Sequence, residues 1–303
     1  MSALAQFIMK GRNQAILVVS FFTILSWLLS LASLLAAAAL ALPTLRLGPR
    51  EGLIVMVGAL PAVAVSGYFL MGNALEAAGF ALIIWVPVLL VSWVLRLTAN
   101  LSVAVSSAVG LGSLSVVGFY GFVDDVAGFW KNQFQVILKP ILEQQAQLGS
   151  DASITMTLDV FSRYATGSVA AGSILSVLMS VLLARWWQAG LYNPGGFRKE
   201  FTALRLNRWL ATGLVVLTTL ILMMGNDVGV FLANLVLPLF VGAMLAGFSL
   251  VHAKLSNNPS GRFWLTGLYI GIMFVTPLII LIAFAGIADS WLDWRRRSAT
   301  GSV

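Results

Sequence analysis

Long stretches without a charged side chain decide what this sequence can fold into. Asp, Glu, Lys and Arg are all absent from residues 13–45, 52–75, 77–95, 97–123, 164–184, 209–226, 228–253 and 263–288. Each stretch is close to or longer than the roughly 20 apolar residues that a helix needs to cross a bilayer. The pattern predicts one all-α integral membrane domain over residues 1–303, a polytopic transmembrane helical bundle of about eight spans (seven to nine). A soluble enzyme, a secreted disulfide scaffold and a β-barrel do not fit it.

The charge and the reactive residues narrow the function further. The net charge of +7 fits basic loops that contact anionic headgroups of the lipid bilayer, rather than nucleic acid, because no soluble basic module is present. The chain has no cysteine and one histidine, which excludes disulfides, thiolate metal sites and thiol nucleophiles. The adjacent acids Asp124 and Asp125 would point about 100° apart on a helix. We therefore predict no catalytic residue, no metal, no cofactor and no enzymatic activity.

Two segments between the charge-free stretches have amphipathic patterns. Residues 124–163 repeat apolar side chains at helical spacing, which predicts a helix lying in the membrane interface that Pro140 bends or ends. Residues 185–208 are strongly basic, and Trp186 and Trp187 beside Arg185 are typical interfacial anchors. Within this segment, residues 197–206 predict an amphipathic interfacial helix on the cytoplasmic side.

The orientation in the membrane is ambiguous from the sequence. With eight crossings, both termini share a side with residues 124–163, and the basic residues weakly place 185–208 in the cytoplasm with the termini outside. The three arginines at 295–297 argue against that arrangement. One resolution is that residues 13–45, predicted first as one span over 15–42, instead make two passes or a re-entrant segment.

Small residues four positions apart recur in several predicted spans. Such spacing lets helix backbones approach closely in lipid. It predicts either a docking face for a partner subunit or, as is more common in Ala-rich helices, packing within the bundle. The relevant pairs are Ala32/Ala36, Ser33/Ala37, Gly242/Ala246, Ala243/Gly247 and Gly267/Gly271.

A few polar residues lie in or beside the predicted spans. Charges within a membrane are costly and often functional, but here each could occupy a turn at headgroup depth, which we favour over a transport role. The uncharged candidates could bind a ligand or bridge helices. His252 near a helix end is favourable for dipole reasons and lacks a neighbouring carboxylate for proton relay. The charged candidates are Glu76, Arg96, Asp124, Asp125 and Asp227, and the uncharged ones are Asn73, Asn100 and Asn234.

One motif carries a family resemblance. After Arg185, the motif over 193–206 resembles the YybS-like family of bacterial inner-membrane proteins, for which no activity is established. Residues 45–52 and 292–295 support the resemblance. The motif positions of interest are Asn193, Pro194, Gly195, Gly196, Phe197, Glu200 and Arg205.

The resemblance implies a multi-pass protein of the bacterial inner membrane. The family's architecture is similar to that of the substrate-binding (S) components of energy-coupling-factor vitamin transporters, which dock a partner subunit through an Ala-xxx-Ala face on the first helix. Ala32 and Ala36 are the matching positions here. No vitamin-binding residues can be matched.

Two functions from different classes follow from the sequence. The first is a transporter-type substrate-binding membrane subunit for a small solute or lipid-linked molecule, which works with a membrane protein partner. The alternative is a non-transporting membrane scaffold or regulator of envelope processes. An intramembrane enzyme is the third option, and it would need acids that converge inside the bundle.

Overall fold

The computed structural model describes residues 2–146, 151–225, 227–255 and 258–295. This part of the chain is almost entirely helical and contains no strand, which confirms the all-α prediction. Its helices are α1 (Ser2–Ile8), α2 (Arg12–Leu25), α3 (Ala32–Leu47), α4 (Pro49–Met71), α5 (Ala74–Thr98), α6 (Leu101–Phe122), α7 (Val126–Ala146), α8 (Asp151–Tyr192), α9 (Gly196–Ala203), α10 (Arg208–Met223), α11 (Asp227–Leu255), α12 (Gly261–Phe274) and α13 (Pro277–Leu292).

Five helices in the described part are long and apolar enough to cross a membrane, namely α4, α5, α6, α8 and α11. The pair α9 and α10, bent by 44° at its break, brings the number to six if it is taken as one span. The chain is therefore that of a multi-pass membrane protein. The predicted count of about eight spans is not confirmed, and two of the predicted spans are built differently.

The first predicted span is broken into two helices, α2 and α3, by residues 26–31. Ser26 Oγ donates to the carbonyl of Thr23, a local bond that competes with helix continuation. Arg12 at the start of α2 pairs with Glu51 at the start of α4, which directly follows α3. Because α2 begins and α3 ends at the same end of the bundle, residues 13–45 form a re-entrant hairpin rather than one crossing.

Helix α3 forms the centre of the bundle. It packs against α2, α4, α5 and α8, and every residue from Ala36 to Leu45 is buried. Its many alanines let four neighbours approach closely, which is how small residues are used between membrane helices. Arg96 of α5 closes the helix by donating to the carbonyls of Leu45 and Arg46, at 2.8 and 2.5 Å.

The last predicted span, 263–288, is also broken. The chain leaves the helical conformation at Val275, with φ −124° and ψ 77°, and restarts as α13 with Pro277 at its start, where the missing N–H of proline needs no helical partner. The end of α13 lies beside the start of α10, where Arg208 Nε donates to the carbonyl of Ser290 at 3.0 Å. Lys254 Nζ, at the end of α11, donates to the carbonyl of Trp294 at 3.0 Å. Both ends of the α12–α13 pair therefore lie at one end of the bundle, and it too is re-entrant.

Because each of these two hairpins returns to the end at which it begins, basic and acidic residues lie mainly at opposite ends of the bundle. We call the end that holds Arg12, Arg96, Arg185, Arg208 and Arg295 the basic end, and the other the acidic end. Among the described residues, all Lys and Arg except Lys131, Lys139 and Arg163 belong to the basic end. The acids of the acidic end whose side chains the structure describes are Glu76, Asp124, Asp125, Asp159 and Asp227.

The acids at the basic end are all neutralised by arginine. Glu51, Glu200, Asp289 and Asp293 pair with Arg12, Arg185, Arg295 and Arg205, respectively. The surplus of basic residues at this end removes the conflict that the eight-span arrangement created, and under the positive-inside rule it favours a cytoplasmic location for this end. Arg296 and Arg297 lie outside the described residues.

The amphipathic pattern over 124–163 forms helix α7, and its location in the membrane interface stays a prediction. The helix continues through Pro140, contrary to the prediction, and packs along the first part of α8, where Lys131 pairs with Asp159 at 2.7 Å and Trp130 Nε1 donates to Thr166 at 2.8 Å. With 42 residues α8 is about 60 Å long, twice the ~30 Å hydrocarbon core. The charge-free stretch 164–184 matches that core in length, and α7 forms a helical hairpin with the first part of α8.

The segment 185–208 is close to its predicted form. The amphipathic helix expected over 197–206 is α9, which begins at Gly196 and ends earlier, at Ala203. Residues 204–207 then run in a non-helical conformation to α10. The tryptophans differ from the prediction, since Trp186 is half-exposed whereas Trp187 is buried in the core.

The small residues of α11 pack within the chain. A Cβ atom at Gly247 would lie 1.9 Å from the carbonyl oxygen of Ile282, and one at Gly286 would lie 2.3 Å from that of Ala243. A Cβ at Gly242 would meet side chains of α6 and the 204–207 segment. Intramolecular packing, rather than a docking face, explains this set.

The topology predicts which engineered cysteines share a side. In the cysteine-free chain, we expect Arg50→Cys and Lys199→Cys to react with a membrane-impermeant maleimide from the cytoplasmic face, because both belong to the basic end. Asp124→Cys should react from the opposite face. Lys10→Cys, which precedes the hairpin, should be labelled from the same face as Arg50→Cys, and labelling of these two positions from different faces would contradict the hairpin at residues 13–45.

The close crossing of α11 and α13 predicts a position-specific effect of one methyl group. We expect Gly247→Ala to destabilise the protein by about 1–3 kcal/mol, because the backbone of α13 has to move away. Gly267→Ala is the matched control, since a Cβ there meets nothing within 4 Å and alanine favours a helix. Thermal melting of the purified variants in one detergent measures both, and equal midpoints would refute the packing argument.

Candidate functional site

Several of the predicted polar candidates cap helix ends. Asn73 accepts hydrogen bonds from the backbone N–H groups of Leu75 and Glu76, and its amide donates to the Glu76 carboxylate at 2.8 Å. Asn100 accepts from the N–H of Ser102 at 2.8 Å. Each starts a helix in the way expected of an N-cap asparagine. Together with Arg96, which closes α3, these residues hold turns at the ends of the bundle.

Asp227 lies at the acidic end, in the first turn of α11. It lines a cavity of about 520 Å³ together with Tyr120, Asp124, Asp125 and Arg163. The described residues contain no group of three or more acids or histidines arranged to hold a metal ion. Asp124, Asp125 and Asp227 share this cavity, whereas Glu76 is engaged with Asn73 at the start of α5.

Asn234 bridges two helices in the interior. Its side chain is fully buried, its Oδ1 accepts from the N–H of Gly167 at 2.6 Å, and its Nδ2 donates to the carbonyl of Arg163 at 2.8 Å. In a regular helix that N–H and that carbonyl bond to each other. The amide thus inserts into the backbone ladder of α8, and Gly167 permits it because a Cβ would lie 2.5 Å from Asn234's own carbonyl oxygen. Of the two roles left open for Asn234, bridging helices is the one observed.

The predicted docking residues have two different environments. Ala32 and Ala36 are buried, with Ala36 only 1% exposed, so they cannot offer an open face to a partner and that prediction is wrong for this pair. Gly267 lies on an exposed part of α12, and a Cβ at Gly271 would touch only Leu278 within 4 Å. Docking through α12 therefore stays a prediction.

The motif over 193–206 is firmly attached to the bundle. Gly195 adopts a positive φ of 83°, which favours glycine and reverses the chain between α8 and α9. Arg185 of α8 makes a two-pronged contact with Glu200 of α9, at 2.7 and 2.5 Å. Beyond α9, the backbone N–H of Arg205 donates to Ser102 of α6 at 2.8 Å, and its guanidinium pairs with Asp293.

A buried network that the sequence did not indicate closes the end of α9. The Ser249 hydroxyl is within hydrogen-bonding distance of the carbonyls of Phe201 and Leu204, at 2.6 and 2.9 Å. Arg295 donates to the carbonyls of Thr202 and Leu204 and pairs with Asp289, which is 2% exposed. These groups satisfy the carbonyls that the end of a short helix leaves without partners.

The charge state of Arg295 follows from its surroundings. Burial lowers its pKa from the ordinary value, while the neighbouring carboxylate of Asp289 opposes that shift. A guanidinium remains protonated at any physiological pH, so Arg295 is a permanent cation in this network. In the sequence, this pair is visible only as Asp289 and Arg295, six positions apart after an apolar stretch.

A large cleft lies on the other side of α9. Its volume is about 1110 Å³, and its walls come from α8, α9, α11 and α12. Most of the wall is apolar, including Leu175, Met179, Leu182, Met244 and Leu265. Met179 and Tyr269 in the wall are about half exposed, so the cleft opens to the side of the bundle. Pockets of about 300–1,000 Å³ commonly bind small molecules, and this one exceeds that range.

The rim of the cleft at the basic end carries polar and cationic groups. Arg198 of α9 and Arg262 of α12 lie on opposite walls, and no Asp or Glu is among the described residues that line it. His252 Nδ1 bonds the carbonyl of Phe248 at 2.9 Å, and its Nε2 lies 3.3 Å from the hydroxyl of Tyr269. Sequence reasoning singled out His252 and gave Arg198 as available to headgroups, but it could not place either residue beside Arg262, because the cleft joins residues from four separate helices.

Comparisons of the chain with protein-family models, with curated proteins and with solved structures give no match. The YybS-like resemblance accordingly stays a prediction.

The buried Asp289–Arg295 pair predicts non-additive effects of mutation. We expect Arg295→Leu to cost about 3–5 kcal/mol of stability, because it leaves a buried carboxylate without its cation. The double variant Asp289→Leu/Arg295→Leu should recover part of that loss, since no uncompensated charge remains. Arg205→Leu, which breaks the more exposed pair with Asp293, should cost about 1 kcal/mol or less and serves as the control. Equal losses in the single and double variants, measured by thermal melting, would contradict this account.

Proposed function

We propose that the protein is a transporter-type, substrate-binding membrane subunit whose lateral cleft takes up an amphiphilic molecule, either a small solute or a lipid-linked compound. The observation that carries the proposal is the cleft itself, with its volume of about 1110 Å³, its apolar walls and its cationic rim. A cavity with mostly apolar walls and a few convergent polar groups is the usual form of a small-molecule site.

The depth of the cleft supports an amphiphilic occupant. On α8, the charge-free stretch 164–184 marks the hydrocarbon core, and Arg185 follows directly. Leu175, Met179 and Leu182 therefore line the cleft at hydrocarbon depth, whereas Trp186 and Arg198 lie at headgroup depth. A molecule with an apolar tail and a polar head would match both regions at once.

A partner subunit and a location complete the proposal. Helix α12 contacts the bundle mainly through α11 and α13, and most of its surface is exposed, so Gly267 and Gly271 remain the candidate docking positions. The surplus of basic residues at one end fits a multi-pass protein of the bacterial inner membrane with that end in the cytoplasm. The proposal is one of binding, in line with the prediction that the chain is not an enzyme.

The alternative function, a non-transporting scaffold or regulator of envelope processes, is favoured by a different observation. The hairpin of α7 and the start of α8 exposes large apolar side chains outside the stretch that matches the hydrocarbon core. Val136 and Ile137 of α7 are 74% and 69% exposed, and Phe161 of α8 is also exposed. Contiguous exposed apolar side chains mark protein or membrane contacts.

Filling the cleft tests the binding proposal. We expect Met179→Trp and Leu265→Trp, on opposite walls, to prevent copurification of amphiphiles that native mass spectrometry detects on the wild-type protein. Leu114→Trp is the matched control, because Leu114 is well exposed on α6 and does not line the cleft. Unchanged melting temperatures would show that the variants fold. If the wild-type protein retains no small molecule and instead copurifies with a membrane complex, the scaffold alternative replaces this proposal.

A further inference from the structure

We propose that the cleft selects a lipid with a net anionic phosphate headgroup, which is held at the rim by Arg198, Arg262 and the His252–Tyr269 pair. This inference rests on the proposed function, because it names the class of amphiphile that the cleft binds.

The charge at the rim is complementary to an anion. Arg198 and Arg262 approach the cleft from α9 and α12, so a headgroup between those helices would meet a guanidinium on each side. The nearest acid along α9, Glu200, is bound on the side of α8 by Arg185, and no acid is among the described lining residues. Guanidinium groups bind phosphate oxygens through paired, charge-assisted hydrogen bonds, so this arrangement favours phosphate over a neutral head.

His252 positions the Tyr269 hydroxyl at the rim as a hydrogen-bond donor. The carbonyl of Phe248 accepts from Nδ1–H of His252, which leaves Nε2 to face the Tyr269 hydroxyl. Tyr269 is also held by stacking on Phe248, with ring centroids 5.9 Å apart. Nε2 of the neutral ring therefore accepts from the Tyr269 hydroxyl, and that hydroxyl can rotate to donate to an anionic oxygen in the cleft instead.

The walls favour a lipid over a free anion. Below the rim, the cleft is lined by Leu175, Met179 and Met244, and it opens sideways past Met179 and Tyr269. A free phosphate would use only the rim and leave the apolar walls without a partner. An acyl chain that enters from the bilayer would cover them, and its headgroup would stay at the depth where membrane phosphates lie.

The test compares lipids that differ only in the headgroup. The full-length protein is placed in nanodiscs with equal amounts of dioleoyl-phosphatidylglycerol and dioleoyl-phosphatidylcholine, and native mass spectrometry measures the ratio of the two lipids retained. We expect the wild-type protein to retain more phosphatidylglycerol than phosphatidylcholine. In the Arg198→Gln/Arg262→Gln variant, the ratio of the two retained lipids should fall about tenfold. In the Tyr269→Phe variant, the same ratio should fall by less than in the double arginine variant.

The controls separate this inference from the proposed function. Lys199→Gln removes a neighbouring charge on α9 that does not line the cleft, and it should leave the preference unchanged. Equal retention of both lipids by the wild-type protein would overturn the headgroup inference while supporting the cleft as a lipid site. Retention of neither lipid would overturn the headgroup inference and leave only the small-solute form of the proposed function. Inorganic phosphate alone should not raise the melting temperature, and an Arg198- and Arg262-dependent increase would mean that the site takes a free anion instead.

Discussion

The backbone groups at helix ends need hydrogen-bond partners wherever water is excluded, and the rest of this structure depends on how that requirement is met. A bundle with two re-entrant hairpins and a short helix α9 has more such ends than a bundle of simple crossings. Side chains from distant helices supply the partners. Arg96 closes α3, Arg295 and Ser249 close α9, and Asn234 inserts into the ladder of α8. Most of these bonds lie at the basic end, which is why that end is held together as one unit.

That unit also forms one wall of the cleft. Helix α9 is fixed by Glu200 on one side and by Arg295 at its end, so Arg198 and Phe197 are presented to the cleft from a supported helix. The opposite wall, α12, has few neighbours and a break after it at Val275 and Thr276. The site therefore combines a rigid wall with a loosely packed one, an arrangement that suits entry of an amphiphile from the side.

Part of this fold follows from the sequence, and the rest does not for identifiable reasons. Helices α4, α5, α6 and α11 lie close to their predicted bounds, because a charge on either side of an apolar stretch marks the membrane boundary. Residues 13–45 and 263–288 were predicted as crossings because a hairpin that stays within the bundle has the same apolar composition as a crossing helix. Only pairs such as Arg12–Glu51 and Arg208–Ser290, which are distant in sequence, reveal that these segments turn back.

The candidate site was harder to predict than the fold for the same reason. Leu, Met and Phe that line a cleft do not differ in sequence from those that pack a core, and Arg198 and Arg262 lie in basic loops that any membrane protein has. The three asparagines show which roles sequence reasoning can and cannot assign. The sequence left ligand binding and helix bridging open for all three, but Asn73 and Asn100 cap helices through neighbouring residues, whereas the role of Asn234 depends on Gly167, which is 67 positions away.

The bonds between Arg295 and α9 also affect how the protein is made. Thr202 and Arg295 are 93 positions apart, so the carbonyls at the end of α9 have no guanidinium partner until Arg295, the last described residue, has been synthesised. At about 5–20 residues per second this interval is roughly 5–20 s, long compared with the formation of a helix. During that time the basic loop lies beside the membrane with an incomplete cap, and the cleft closes on its supported side only when translation reaches the end of α13.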